Sequence, residues 1–196
     1  MNMNIKGIKL ALVDITRQLI GSSLSQIPAG NNTTKAAVIL NRAAGNKPKF
    51  PYAIVDCIGV DSIGYSSLNN YMNEDDEQVD EFSHVGRFTI QVSGSTDDDV
   101  QSLIVNLRSK LFTSKGLSLI DSIPNTGLLS IEPATFFPSF MVTDYEEASR
   151  IIINFSINDI YTDDTVGTLE SIDLDGELYK DFSQDDTPLS INTIAP

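Results

Sequence analysis

Arg87-Phe88-Thr89-Ile90-Gln91-Val92-Ser93-Gly94-Ser95-Thr96-Asp97-Asp98-Asp99-Val100-Gln101-Ser102-Leu103-Ile104-Val105-Asn106-Leu107-Arg108-Ser109-Lys110-Leu111 decides the fold of this chain. In its opening residues Phe88, Ile90 and Val92 alternate with polar neighbours, which predicts a strand with one buried face. Val100, Leu103, Ile104, Leu107 and Leu111 then recur at helical spacing. Thr96, with Asp99 three residues on, resembles a capping box, and three successive aspartates complement the positive end of the helix dipole. Arg108, Lys110 and Lys115 suit the negative end, and Gly116 is placed as the residue that follows the helix, so the spacing predicts a helix over 97–114. A strand running through a cap into a helix, with no catalytic motif between them, suggests a protein that works by its surfaces.

Outward from this unit the pattern continues. Ile5, Ile8, Leu12, Ile15 and Leu19 predict an amphipathic helix over 4–20 ending at Gly21, with Gly7 costing its first turn about 1 kcal/mol relative to Ala. Residues 22–50 mix Gly, Asn, Thr and Pro with lysines and read as a long basic loop that orders against a neighbour. Tyr52 to Val60 is an apolar run and reads as a buried strand, and a second strand is expected over about 79–93, with Gly86 marking a bulge or a close backbone approach. Between them, 61–76 reads as a polar loop or an irregular strand carrying Tyr65 and Tyr71. Thr126 to Ile131 and Glu147 to Ile157 are the third and fourth strands, the last with Ile151, Ile153, Phe155 and Ile157 toward the core. Phe136-Phe137-Pro138-Ser139-Phe140 reads as an exposed aromatic loop, and Asp175-Gly176 as a hairpin turn. The order helix-strand-strand-helix-strand-strand is an α+β pattern: one mostly antiparallel sheet with two helices on one face. The expected organisation is a domain over 1–162, including the basic loop 22–50, followed by an acidic C-terminal arm over 163–196.

The chain has 196 residues, 41% of them hydrophobic, which suits one domain with a real core. No run of about 18 apolar residues is present, so no membrane span is expected, and the first residues lack the apolar stretch of a secretory signal. The lone Cys57 sits in an apolar run and is expected to be buried and inert, with no intramolecular disulfide. Charge is unevenly divided. Residues 1–50 hold seven Lys/Arg against Asp14 alone, a net +6, while the remainder holds 26 acids against six bases, a net −20. Such an acidic body repels nucleic acid. Two readings of the division stand: a solvated acidic surface with a solvated basic segment, or a basic segment of one subunit meeting the acidic body of another, which fixes register and steers association.

Catalytic chemistry has little footing. His84 is the sole histidine and no second cysteine joins Cys57, which argues against a zinc site; there is no P-loop, no G-x-G-x-x-G and no G-x-S-x-G. Acidic clusters at 74–77, 97–99, 163–164 and 185–186 leave one enzyme reading, a small metal-dependent hydrolase, although none matches a calcium loop and the triple aspartate is explained by its helix. No catalytic, metal or cofactor residue is assigned. The candidate residues are instead those of assembly surfaces: the basic Lys35, Arg42, Lys47 and Lys49, the acidic Glu74, Asp75, Asp76 and Glu77, and the aromatic Phe136, Phe137 and Phe140, which either fold onto their own core or pack on another subunit.

Several of these features together resemble the tail terminator (neck terminator) proteins of tailed bacteriophages, particularly the contractile-tailed type. They are the N-terminal helix, the Pro51-Tyr52 entry to the first strand, the strand 87–92 running into Ser95-Thr96-Asp97-Asp98-Asp99 and a helix, and the late strand Arg150-Ile151-Ile152-Ile153-Asn154-Phe155-Ser156-Ile157 ending near Tyr161-Thr162-Asp163. The resemblance covers the chain from Pro51 to Asp164. It implies a non-enzymatic virion protein, assembled in the host cytoplasm, that forms a homo-oligomeric ring, usually a hexamer, on top of the tail tube. Such a ring ends tube elongation and offers a docking face to neck and connector proteins, and in contractile tails it touches the last sheath ring. DNA passes through it without specific binding, and no membrane is involved. A neighbouring possibility is another head–tail connector, tail-completion or tail tube component, since related folds serve these roles.

Overall fold

Asn4 starts the first helix by accepting the Gly7 amide on its side chain at 2.8 Å, which satisfies one of the free donors of the first turn. The computed structural model describes residues 4–41, 47–63, 69–73, 77–140, 145–163, 177–178 and 189–190. Helix α1 (Ile5–Ile20) buries Ile8, Leu12, Ile15 and Leu19, the stripe its spacing predicts. It gives way at Gly21 to a single 3-10 turn.

The segment expected to be a basic loop is built differently. Strands β1 (Gln26–Gly30) and β2 (Thr33–Ala36) form an antiparallel hairpin outside the main sheet, largely exposed on both strands. Asn31 and Asn32 close it with φ of 47° and 57°, a two-residue turn in the left-handed region that asparagine tolerates. Strand β3 (Val38–Leu40) then runs parallel to β4 (Tyr52–Ser62). Arg17 ties this segment to α1 by donating to the Val38 carbonyl at 2.8 Å.

The remaining elements are β5 (Asn69–Met72), β6 (Gln78–Gly94), α2 (Val100–Leu111), α3 (Ser114–Asp121), β7 (Thr126–Ile131), β8 (Thr135–Phe140), β9 (Tyr145–Asp163), β10 (Glu177–Leu178) and β11 (Leu189–Ser190). The main sheet has the order β3-β4-β6-β9-β7, with β5 also paired to β6 and β8 to β9; β10 and β11 pair with each other. The α+β class holds. The sheet is mixed through its β3–β4 pair, and the described residues form three helices where two were expected.

Two corrections concern the deciding stretch. The N-cap is Asp99, accepting the Ser102 amide at 3.0 Å, and not Thr96; Asp98 instead accepts from the amide and hydroxyl of Ser95, both at 2.8 Å. The helix ends at Leu111, and Thr113 caps a second one, α3, by accepting the Gly116 amide. Gly116 is thus inside α3 and not a helix stop. A β-carbon there would collide with the Lys110 carbonyl and the Leu111 backbone, so glycine allows the chain to fold back tightly on α2.

A single core joins the buried stripes of α1 and α2 and Ile120 of α3 to alternate strand residues: Val55, Phe88, Ile90, Val92, Ile151, Ile153, Phe155 and Ile157. Each fully buried side chain of this size stabilises the fold by about 1.5–3 kcal/mol. Phe88 and Phe155 meet edge to face at 5.8 Å. Gly86 marks a close approach, as its position in the strand suggested: a β-carbon there would lie 2.5 Å from Ile157 Cδ1. The bulges fall elsewhere, at Ile58 in β4 and Leu129 in β7.

Strands β6 and β9 stay paired without a shift from Gly94–Glu147 to Gln78–Asp163. At roughly 3.3 Å per residue this ribbon is about 55 Å long. The core uses only one part of it. Beyond His84 and Ile157 the ribbon continues as an outer blade, bordered first by the end of β4 and then by β5.

Candidate assembly surfaces

The expected basic residues do not act as one group. Lys35 lies exposed on the β1–β2 hairpin, and Lys49 is exposed beside it in the chain's return toward β4, where Ser25 Oγ donates to the Lys49 carbonyl at 2.5 Å. Lys47 is committed within its own subunit. Its ammonium donates to Glu146 Oε2 at 2.5 Å, and lies 4.7 Å from the Phe50 ring centroid. Tyr52 donates its hydroxyl to the other Glu146 oxygen at 3.2 Å, so a carboxylate with only 5% of its side chain exposed is satisfied on both oxygens. Burial pulls Lys47 down, but the hydrogen bond and charge of Glu146, with Tyr52, outweigh it and hold the ammonium above its ordinary value. Burial first, and then the Glu146 charge, raise the Tyr52 phenol. Arg42 lies outside the described residues.

Of the acidic quartet, Glu74, Asp75 and Asp76 lie outside the described residues. Glu77 is held by Asn73, which donates to its carboxylate at 2.8 Å and accepts its amide at 2.9 Å, closing the turn between β5 and β6. The acidic surface that the structure builds is larger than this quartet. Among described residues of the outer blade stand Asp61, Glu77, Asp80 and Glu81, with the buried Asp159, and the sequence has no lysine or arginine from 51 to 86 or from 151 to 179. None of these acids is in an ion pair among the described residues. Large apolar side chains are exposed on the same blade: Ile63, Tyr71, Met72 and Tyr161, the last at 50%. The missing bases were visible in the sequence, but the gathering of distant acids on one long ribbon depends on the β6–β9 register.

The aromatic segment is a strand and not a loop. Strand β8 pairs with β9 from Thr135–Arg150 to Phe140–Tyr145, and it tolerates Pro138 because it is an edge strand whose outer side needs no donor. Phe136 is 47% exposed and lines a shallow groove with Gln101, Ser102, Val105 and Asn106 of α2. Phe137 is half-buried under the Arg150 guanidinium, 5.5 Å from its ring. The Phe140 side chain lies outside the described residues.

Residues with chemical potential are placed quietly. His84 Nδ1 is 3.2 Å from Ser62 Oγ across the β4–β6 pair. Cys57 is half-buried, its thiol raised by burial, with Sγ donating to the Gly59 carbonyl at 3.6 Å. Among the described residues no three His, Cys, Asp or Glu side chains gather as a metal set, and no helix is long and apolar enough to cross a membrane. What the arrangement offers is surface: an exposed hairpin carrying Lys35 with Lys49 near its base, a long acidic blade with exposed tyrosines, and a groove beside Phe136.

Comparison with known proteins bears on what such surfaces are for. A family model described as phage neck terminator protein matches residues 10–181, most of the chain. No curated protein matches the chain. The matched span contains most of the N-terminal helix, the hairpin, the whole main sheet and the α2–α3 pair, so the chain belongs to the phage neck terminator family, structural proteins of the virion neck.

Proposed function

We propose that this protein closes into a ring, six copies around, on the head-proximal end of the tail tube. The ring ends tube elongation and presents its other face to the neck and connector proteins; in a contractile tail its rim also meets the last sheath ring. The observation that supports this most is the separation of charge between two unlike exposed surfaces, the N-terminal hairpin with Lys35 and the nearby Lys49, and the acidic blade. A closed ring needs a head-to-tail contact between two different patches, and unlike charges give such a contact both register and speed of encounter. An acidic lumen also suits DNA passage, because counterion release rewards basic surfaces alone.

Two measurements test this. Added to tail tubes growing from purified tube protein, the ring stops elongation and narrows the length distribution; unchanged lengths overturn the capping role. Light scattering on the purified protein gives a mass near six chains, and monomer alone at high concentration and low salt overturns the ring.

A further inference from the structure

The outer blade has two faces, and the one continuous with the helix-covered core is built like a receiving surface. Alternation along the unshifted β6–β9 register puts Asp80 and Phe82 of β6, Asp159 and Tyr161 of β9, and Met72 of β5 on that face. Tyr161 is 50% exposed and Met72 42%, while Phe82 packs edge-on against Tyr161 at 5.5 Å. Beneath them Asp159 is only 2% exposed, and its Oδ1 has no hydrogen-bond partner among the described residues. An acceptor buried without a donor is costly, about 1–3 kcal/mol for an ordinary polar group and more for a charged one. Tyrosine and methionine are enriched at interface cores, and the Asp159 carboxylate, which hydrogen-bonds the Tyr161 side chain, keeps its Oδ1 open to a donor from a partner.

The same molecule carries the complementary part. The β1–β2 hairpin pairs only with itself among the described strands, and a two-stranded hairpin of this length is marginal on its own in water. It carries the exposed Lys35, with the exposed Lys49 nearby. The sole acid of the first 50 residues, Asp14, is paired with Arg17 at 3.0 Å.

We propose that the helix-side face of the outer blade, centred on Asp159 and Tyr161, seats the β1–β2 hairpin of a neighbouring copy, with Lys35 brought to Asp80 and Asp159. This rests on the ring reading above and names the contact that closes it. Charge complementarity selects the occupant: the blade face offers acids and no lysine or arginine, and the hairpin offers Lys35 and no acid. The contact is heterologous, so each copy gives its hairpin to one neighbour and its blade to the other, as ring closure requires.

The test is charge reversal on each side and then on both. Lys35→Glu and Asp80→Lys are surface changes, and circular dichroism checks that each variant folds. Each alone sets like charges together and raises the concentration for half-assembly by about tenfold or more at low salt. The double variant restores opposite charges across every contact and brings that concentration back toward the wild-type value. Assembly that ignores both single changes, or single losses that the double change leaves unrepaired, overturns this contact while leaving the ring itself standing. A wild-type protein that never assembles overturns the ring reading and this contact with it.

Discussion

Lys47 and Glu146, 99 residues apart in the chain, meet at 2.5 Å beside the buried Tyr52, so the lysine fastens the chain's return toward β4 to the start of β9. Removing Glu146 leaves the Tyr52 hydroxyl without its acceptor. Glu146→Ala is expected to cost about 1–3 kcal/mol, read from chemical denaturation.

The same cluster makes a pH prediction with a definite sign. Lys47 is raised above 10.5 and Tyr52 above 10.0 in the folded protein, so both hold their protons more tightly folded than unfolded. The stability they contribute is complete below the unfolded values and is lost as pH rises through the folded ones. The melting temperature of the wild type should therefore fall more steeply above about pH 10 than that of Glu146→Gln, which lacks the charge. Parallel curves for the two proteins would show that the cluster carries no linkage.

These contacts also mark where the sequence stopped being legible. The strand 87–93 and the stripes of α1 and α2 were readable because their periods are strong and local. Phe136 to Phe140 reads as a loop in the sequence because Pro138 interrupts it; an edge position in the sheet removes that objection, and edges are set by topology. Residues 26–36 were misread because each strand is short, although Gly30-Asn31-Asn32 carried the hairpin signal in its tolerance of positive φ. Lys47 looked free because nothing local to it announces Glu146. The blade lay hidden for the same reason: the acids in 61–81 and Asp159 come together only when β6 and β9 pair over their full length.

The α2 cap separates two neighbouring side chains that the sequence alone confuses. Asp99 accepts the Ser102 amide, and hydrogen bonding from Ser102 lowers its carboxyl below the ordinary 3.8. Asp99→Ala is therefore expected to lower the melting temperature at pH 7, and Thr96→Ala to leave it unchanged. The Asp99 contribution is present above pH 3.8 and fades as pH falls through the lowered folded value, so the two variants should converge in acid. A larger loss from Thr96→Ala than from Asp99→Ala would put the helix start where the sequence first suggested it.

Lys110 works as a cap for a helix that is not its own. Its ammonium donates to the Leu19 carbonyl at 2.7 Å, satisfying an acceptor in the last turn of α1 across 91 residues of chain. Lys110→Met keeps much of the apolar stem and removes the donor. It is expected to cost about 0.5–1.5 kcal/mol, with amide exchange quickening at the C-terminal end of α1 and not at its N-terminal end. Uniform exchange along α1 would assign the loss to packing instead.

Gly86 and Ile157 form the tightest test of the core's edge, because one atom decides the outcome. A β-carbon at 86 would sit 2.5 Å from Ile157 Cδ1 and 2.8 Å from Phe88 Cε2, both in the packed interior. Gly86→Ala is expected to destabilise by about 1–3 kcal/mol despite alanine's smaller conformational entropy when unfolded. Gly59→Ala, on the neighbouring strand with nothing within 4 Å of the new carbon, should be neutral or slightly stabilising. Ile157→Val removes the offending methyl and alone costs about 0.5–1.5 kcal/mol for the space it leaves. Combined with Gly86→Ala, the new methyl group enters that space, so the double variant should be more stable than the sum of the single losses predicts. A coupling of about 0.5 kcal/mol or more in that direction marks two residues sharing one volume, and strict additivity would mean that the close approach is relieved elsewhere, through Phe88.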